Sequence, residues 1–419
     1  MERMKLYQHQ ETIIKDDPKR TGLFLGTGSG KTMTAILLAR GKTLVIAPKT
    51  QCEDQNWPRE WEGLAKHIRL LSEITVISKE TFRRDHKKLP RFDTVIVDEA
   101  HTALGATPGT RWLNRVTVPK TSQIFEALEE YLARTDPERI YLCTATIVRS
   151  PMTVWAAAKV LGRKWDFLEF REAFYVKLPM PGREVWSPRT SDDVKDRLAR
   201  AVRGLGYVGR LEDFFDVPEQ TFKDVYVPLT EEQQKRIKAL PLEYPEPIVL
   251  LGKKLQVENG ILSGDEFNDA EVFDNAKIDA LCEYAIEFPK MIVFARYIEQ
   301  IRQIEKALRK QGKTVFVMTG DTKDRGELLA KVNATDDYAF IVSAQISAGW
   351  EVPDCPVMIF ASRTYSLVDQ EQSWGRILRA NALKKNLYIN LIVKGGIDEA
   401  VHKTLLNKQD FSERVYLNL

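Results

Sequence analysis

Cysteine is scarce in this chain of 419 residues: only Cys52, Cys143, Cys282 and Cys355 occur, with no C-x-x-C spacing. Histidine is nearly as scarce, with five residues and no cluster. These absences exclude a disulfide-stapled miniprotein, argue against a structural zinc site, and fit a reducing compartment. Long apolar runs are missing too. The longest nearly apolar stretch, Val154 to Leu161, is far too short to span a bilayer, and Met1 to Gln10 hold no apolar signal core. The reading is a cytoplasmic protein with no membrane partner. Nor does one sign of charge dominate. With 62 Lys plus Arg against 59 Asp plus Glu, the net charge of +3 leaves any nucleic-acid partner to local basic patches. Short-period repeats and low-complexity tracts are absent as well.

What is present is an ordinary globular balance, 43% hydrophobic and 29% charged, in a chain long enough for two or three domains. Short β-rich apolar runs alternate with helical patterns, as a parallel α/β sheet requires. The runs are Gly22 to Leu25, Thr43 to Ala47, Ile74 to Ile77, Thr94 to Val97 and Ile140 to Cys143. A second set follows at Met291 to Phe294, Thr314 to Val317, Phe340 to Ser343, Val357 to Phe360 and Leu387 to Val393. The expected architecture is α/β, with two similar lobes of parallel sheet. Between the sets lies a proline-rich stretch, so the expected boundaries are a first lobe 1–162, an insertion or linker 163–247 and a second lobe 248–419. Inside the insertion, Val194, Leu198, Ala201, Val202 and Leu205 form a helical stripe, with Lys195, Arg197, Arg200 and Arg203 on the polar side.

Three constellations carry chemistry. Gly26-Thr27-Gly28-Ser29-Gly30-Lys31-Thr32 follows an apolar run and precedes a helical pattern, the context of a phosphate-binding loop. Glycines let backbone N–H groups approach phosphate oxygens, Lys31 suits the β- and γ-phosphates, and the Thr32 hydroxyl suits Mg²⁺. Leu25 stands where the strict pattern has glycine. Asp98-Glu99-Ala100-His101 closes the run Thr94 to Val97, placing two acids where ligands collect in open α/β sheets. Asp98 suits Mg²⁺ through water, and Glu99 suits an attacking water. Gln372-Ser373-Trp374-Gly375-Arg376 leads to Arg379, and guanidinium groups at this spacing can neutralise charge on a transferring phosphoryl group.

Taken together in this order, the motifs resemble the superfamily 2 helicases and translocases over nearly the whole chain. The resemblance implies two RecA-like lobes with an ATP cleft between them, and ATP and Mg²⁺ as cofactors. Leu6 to Gln10 resembles the adenine-reading motif, with Gln10 on the base edge. Val45 to Thr50 resembles motif Ia and Ile77 to Thr81 motif Ib, which implies nucleic-acid backbone contacts from Pro48, Lys49, Thr50, Ser78 and Lys79. Thr144 and Thr146 fall in a stretch like motif III, which couples nucleotide state to lobe movement. Ile292 to Arg296 resembles motif IV, Ser343 to Gly349 motif V, with Gly349 at the nucleotide, and Gln372 to Arg379 motif VI.

Within that superfamily the chain is most similar to the Swi/Snf type of double-stranded DNA translocase. The similarity lies in Thr144 to Pro151 with Val154-Trp155, in Val225 to Gln233, in Lys277 to Leu281, and in Gly396 to Val401 with Lys408. Ala380-Asn381 and Ser347-Ala348-Gly349-Trp350 depart from the remodeller pattern, which keeps unwinding, fork-reversal and branch-migration helicases, including RNA helicases, as the alternative. The reading is a compact bacterial or phage motor, monomeric, guided by a targeting protein or a particular DNA structure. Trp186, Tyr207, Phe214 and Phe215 are candidates for a strand-splitting wedge, and Trp350 and Trp374 for stacking on a base or sugar. Core packing is the competing role for each.

Overall fold

A computed structural model describes residues 6–113, 116–179, 185–217, 220–264, 270–346, 350, 352, 354–363, 373–377 and 385–411. Every β-rich run named above is a strand. In chain order the principal strands are β1 (Arg20–Leu25), β2 (Gly41–Ala47), β3 (Ser72–Ser78), β4 (Thr94–Asp98), β5 (Arg139–Cys143) and β6 (Gly206–Gly209). They continue as β7 (Gln220–Val227), β8 (Lys290–Ala295), β9 (Thr314–Met318), β10 (Tyr338–Ser343), β11 (Val357–Phe360) and β12 (Asn386–Val393). Two six-stranded sheets result, ordered β6-β1-β5-β4-β2-β3 and β7-β12-β11-β8-β10-β9. All pairings within both are parallel.

Both faces of each sheet are covered, which explains why these strands read as continuous apolar runs. In the first sheet Leu23, Val45, Ile96 and Tyr141 face a core that holds Ile36, Leu38 and Trp57. Their neighbours Phe24, Leu44, Ile46, Val95 and Leu142 face the opposite core with Phe125, Leu128 and Trp155. The same alternation divides the second sheet, with Val293, Ile341 and Ile359 on one side and Phe294, Phe340 and Phe360 on the other.

Residues up to Phe215 form one compact unit and Asp216 to Lys408 a second. Of the stretch 163–247, the residues up to Phe215 fall in the first unit and those from Asp216 in the second. Edge pairing is the reason, because an exposed parallel strand recruits any short partner that can lie against it. β6 pairs with β1 in the register Gly22 to Gly206, and β7 runs beside β12 from Gln220–Asn386 to Val227–Val393. Glycine is required at the first contact, since a Cβ on Gly206 would stand 2.1 Å from the Gly22 carbonyl oxygen. The helix Asp192–Arg203 packs Val194, Leu198, Ala199 and Val202 into the first unit. Its polar face is tied internally by Lys195–Asp192 and Arg197–Asp193 pairs.

The aromatic candidates are likewise engaged within their own units. Arg171 lies 4.1 Å over the Trp186 ring, the Tyr207 hydroxyl donates to Asp16 at 2.7 Å, and Phe214 stacks on His9 at 4.0 Å. Phe215 meets Tyr7 edge-on at 4.5 Å. Trp350 is 2% exposed, packs on Phe294 and Phe340, and donates to the Ile346 carbonyl at 2.9 Å. Trp374 packs edge-on against Phe222.

A buried ionic network organises the second unit. The Lys277 ammonium, fully enclosed, donates to Asp398 Oδ2 (2.8 Å), Asn259 Oδ1 (2.8 Å) and the Ala361 carbonyl (2.7 Å). Glu258 accepts the backbone N–H groups of Ile397 and Asp398, both at 2.8 Å, at the start of the helix Ile397–Phe411. Burial lowers the pKa of Lys277, against the pull of Asp398. Asp398→Ala should therefore destabilise the unit by about 3–5 kcal/mol, because it strands a buried charge. Urea unfolding followed by fluorescence checks this. Lys277→Met combined with Asp398→Leu should recover most of the loss, whereas a double variant as unstable as the single would show that the pair's charge is not what matters.

Candidate functional site

The carboxyl edge of the first sheet gathers most of the predicted residues. The loop 26–30 leaves β1, Pro48 and Lys49 follow β2, Ser78 ends β3, Asp98 ends β4 and Thr144 follows β5. This edge is where a parallel α/β sheet presents ligand groups, because strand ends and helix starts converge there.

The loop is built by glycine conformation. Gly28 and Gly30 hold φ values of 79° and 80°, a left-handed region that other residues occupy only at a cost. Gly30 caps the helix Lys31–Leu38, placing Lys31 and Thr32 in its first turn. Thr27 and Gly28 are half-buried, and the buried Ser29 hydroxyl donates to the Gly26 carbonyl at 2.6 Å. The Lys31 ammonium folds back on the loop, donating to the Leu25 carbonyl at 2.7 Å and that of Gly26 at 2.9 Å.

Gln10 lies beneath the loop. It is fully buried, its Oε1 accepts the Tyr7 N–H at 3.1 Å, and its Nε2 donates to the Gly30 carbonyl and the Thr34 hydroxyl, each at 3.3 Å. The resemblance assigned Gln10 to an adenine edge, but the first turn of the helix Gln8–Asp16 uses it as a capping-box partner and as a strut under the loop. His9 supports the same loop through the Ser29 carbonyl, 2.9 Å from its Nε2.

Asp98 is 7% exposed and held at both oxygens, by Trp57 Nε1 at 3.0 Å and the Glu99 N–H at 2.9 Å. Glu99 adopts φ 42°, ψ 53°, a left-handed conformation rare outside glycine. Strain of that kind concentrates at functional sites. His101 Nδ1 lies 2.7 Å from the Thr144 hydroxyl and 3.5 Å from Glu99 Oε2. Burial, with Arg149, Lys79 and Lys31 nearby, pushes the His101 pKa down to about 2, so the imidazole is neutral. Thr144 Oγ1 also accepts the Thr146 N–H at 3.2 Å, while the Thr146 hydroxyl is buried without a partner.

Among the residues expected to touch nucleic acid, Lys49 is exposed, with its ammonium 3.5 Å from Glu53, and Thr50 is half-buried. Pro48 and Ser78 each cap the start of a short helix. Lys79 differs. It is 8% exposed, and its ammonium donates to the Glu99 carbonyl at 2.8 Å and the Thr102 hydroxyl at 2.5 Å. The resemblance placed Lys79 on nucleic acid, and in this structure its ammonium is enclosed by protein groups.

In the second unit Arg376 is half-buried, and its guanidinium donates to the Trp350 carbonyl at 3.4 Å. Gln372, Arg379 and Gly349 lie outside the described residues. Trp57, His9 and His101 were not singled out from sequence. Trp57 belongs to no motif named there, His9 lay inside the Leu6 to Gln10 stretch with no role given to it, and His101 entered only as the last letter of the Asp98 to His101 run.

The residues present fit a nucleoside triphosphate with Mg²⁺. Two left-handed glycines shape a cradle, a Cβ on Gly30 would stand 2.4 Å from the Gln10 amide nitrogen, and an ammonium, a hydroxyl and a carboxylate converge from Lys31, Thr32 and Asp98 at one sheet edge.

Residues 276–381 match the family model of the helicase conserved C-terminal domain. The matched stretch lies in the second of the two parallel-sheet α/β units. Among solved structures the chain is similar to a Sulfolobus solfataricus SWI2/SNF2 ATPase core in complex with double-stranded DNA. That match has 17% identity, covers 99% of this chain and 93% of that one, and has a TM-score of 0.41. No curated protein matches the chain. Among the described residues, no helix is long and apolar enough to cross a membrane.

Proposed function

We propose that the protein is a nucleic-acid-stimulated, Mg²⁺-dependent ATPase that converts hydrolysis into movement along double-stranded DNA, as a Swi/Snf-type translocase. One observation carries the reading: a phosphate loop, a strand-end Asp-Glu pair and the His101–Thr144 link meet at one sheet edge, in a chain that continues into a helicase C-terminal domain. The bound nucleotide and Mg²⁺ supply the phosphoryl group and the charge that screens it. Lys31 binds the phosphates, Thr32 and Asp98 hold the ion, and Glu99 orients the attacking water and takes its proton. Arg376 keeps the transition-state role read from the sequence. Asp98 is oriented by Trp57 and the Glu99 N–H, so its carboxylate needs little reorganisation to act.

His101 and Thr144 give that site a mechanical outlet. A neutral imidazole can accept from or donate to the Thr144 hydroxyl, so displacement of the 98–101 turn is passed to the segment after β5. DNA is held at phosphates by Lys49, Thr50 and Ser78, with weak base preference and an affinity that falls with salt. The engaged state of Trp186, Tyr207, Phe214 and Phe215 favours translocation over strand splitting, since none of them is held in reserve as a wedge.

ATP turnover measured without nucleic acid and with single-stranded DNA, blunt duplex, branched DNA and RNA tests the reading. Blunt duplex should stimulate turnover at least about ten-fold, a change of about 1.4 kcal/mol in barrier. Stimulation by single strands, branched DNA or RNA alone would replace the translocase with a helicase.

A further inference from the structure

The side chain of Lys79 leaves the first position of the helix Lys79–Asp85 and crosses to the strand end of β4, twenty residues on in sequence. Its target is the carbonyl of Glu99. That oxygen accepts three donors: the Thr102 N–H at 3.0 Å, the Thr102 hydroxyl at 2.9 Å and the Lys79 ammonium at 2.8 Å. The ammonium also meets the Thr102 hydroxyl, closing a ring of contacts around a single peptide plane. The orientation of that plane is the ψ angle of Glu99. Glu99 sits in the left-handed region at φ 42°, where a side-chain-bearing residue costs about 1–2 kcal/mol and relaxes unless the surroundings hold it.

We propose that Lys79 is a positioning residue for Glu99: by pinning the carbonyl after Glu99 it holds the strained turn that aims the carboxylate, and it makes no contact with nucleic acid. This rests on the reading that Glu99 activates the attacking water. The electrostatics agree with the geometry. Burial pushes the Lys79 pKa down to about 8 against the pull of Asp98, Glu99 and Glu80, with Arg149 adding to the depression. A phosphate-gripping lysine has no reason to accept such burial.

The test compares wild type, Lys79→Met and Thr102→Val, each alone and in a Glu99→Gln background, for kcat, KM for ATP, and Kd for a blunt duplex. Methionine keeps the buried stem and removes the donor, and valine removes the second hydroxyl contact at nearly constant volume. Both variants should lose about 10–100-fold in kcat, with KM and Kd within about three-fold. In the Glu99→Gln background, where no carboxylate remains to be aimed, either change should cost no more than about two-fold in single-turnover rate. If Lys79→Met does not fold, as judged by its melting curve, Thr102→Val decides alone. An unchanged kcat, or an equal loss in the Glu99→Gln background, overturns the proposal. So does weakened duplex binding with kcat retained at saturating duplex. A folded wild-type protein that hydrolyses no ATP with any nucleic acid overturns the ATPase reading instead.

Discussion

Lys31→Ala should abolish Mg²⁺-dependent phosphate release, lowering turnover by at least about a thousand-fold, or about 4 kcal/mol in barrier. The loop itself should survive. Its conformation is set by Gly28 and Gly30 in the left-handed region and by the Gln10 strut beneath, none of which the substitution touches. What disappears is the ammonium on the glycine loop, held 2.7 Å and 2.9 Å from the carbonyls that end β1 and open the loop. Those carbonyls hold it along the loop, and triphosphate oxygens, which carry negative charge, are stronger acceptors for an ammonium than neutral carbonyls. Duplex affinity measured by fluorescence anisotropy should stay within about three-fold, because backbone contacts depend on other cations. A parallel collapse of DNA binding would mean that loop and DNA share one surface, and the proposed division of labour would fail.

Glu99→Gln should lower kcat by about 10²–10⁴-fold while ATP affinity holds or improves, since general-base catalysis contributes on that scale. Glutamine keeps the size and the left-handed backbone strain of Glu99, and it still hydrogen-bonds a water, but it cannot accept the water's proton. The neighbouring Asp98 is given the ion to hold in this reading and is oriented by Trp57 and the Glu99 N–H, so it is not the group that takes the water's proton. Burst and single-turnover kinetics, with nucleotide retention on a filter, separate the steps. Loss of ATP binding alongside kcat would make Glu99 a binding group and return the base role to another residue.

Much of this site was legible in the chain because phosphate chemistry leaves a local signature. A glycine loop between strand and helix, or two acids at the end of an apolar run, needs only neighbours in sequence to be recognised. Lys277 and Asp398 show the limit. Each lay in a stretch noted as similar to Swi/Snf elements, yet nothing local indicated that they meet at 2.8 Å across 121 positions. Gln10 and Lys79 show another. Their motif positions implied solvent-facing roles, but whether a polar group faces a ligand or the protein depends on which donors and acceptors the fold brings within 3 Å.

The sequence by itself determined the class of fold and marked out the candidate phosphate loop: doubly buried parallel strands must be continuously apolar, and a loop that could take phosphate must be glycine-rich between strand and helix. Only the tertiary structure decided where the first unit ends, because β6 and β7 take their identity from the sheet edges they join. It also decided that Lys79 lies under the Asp98 to His101 turn and that the aromatic candidates are engaged within their own units. Those outcomes depend on long-range packing, where burial and hydrogen-bond partners are set by residues tens to hundreds of positions away.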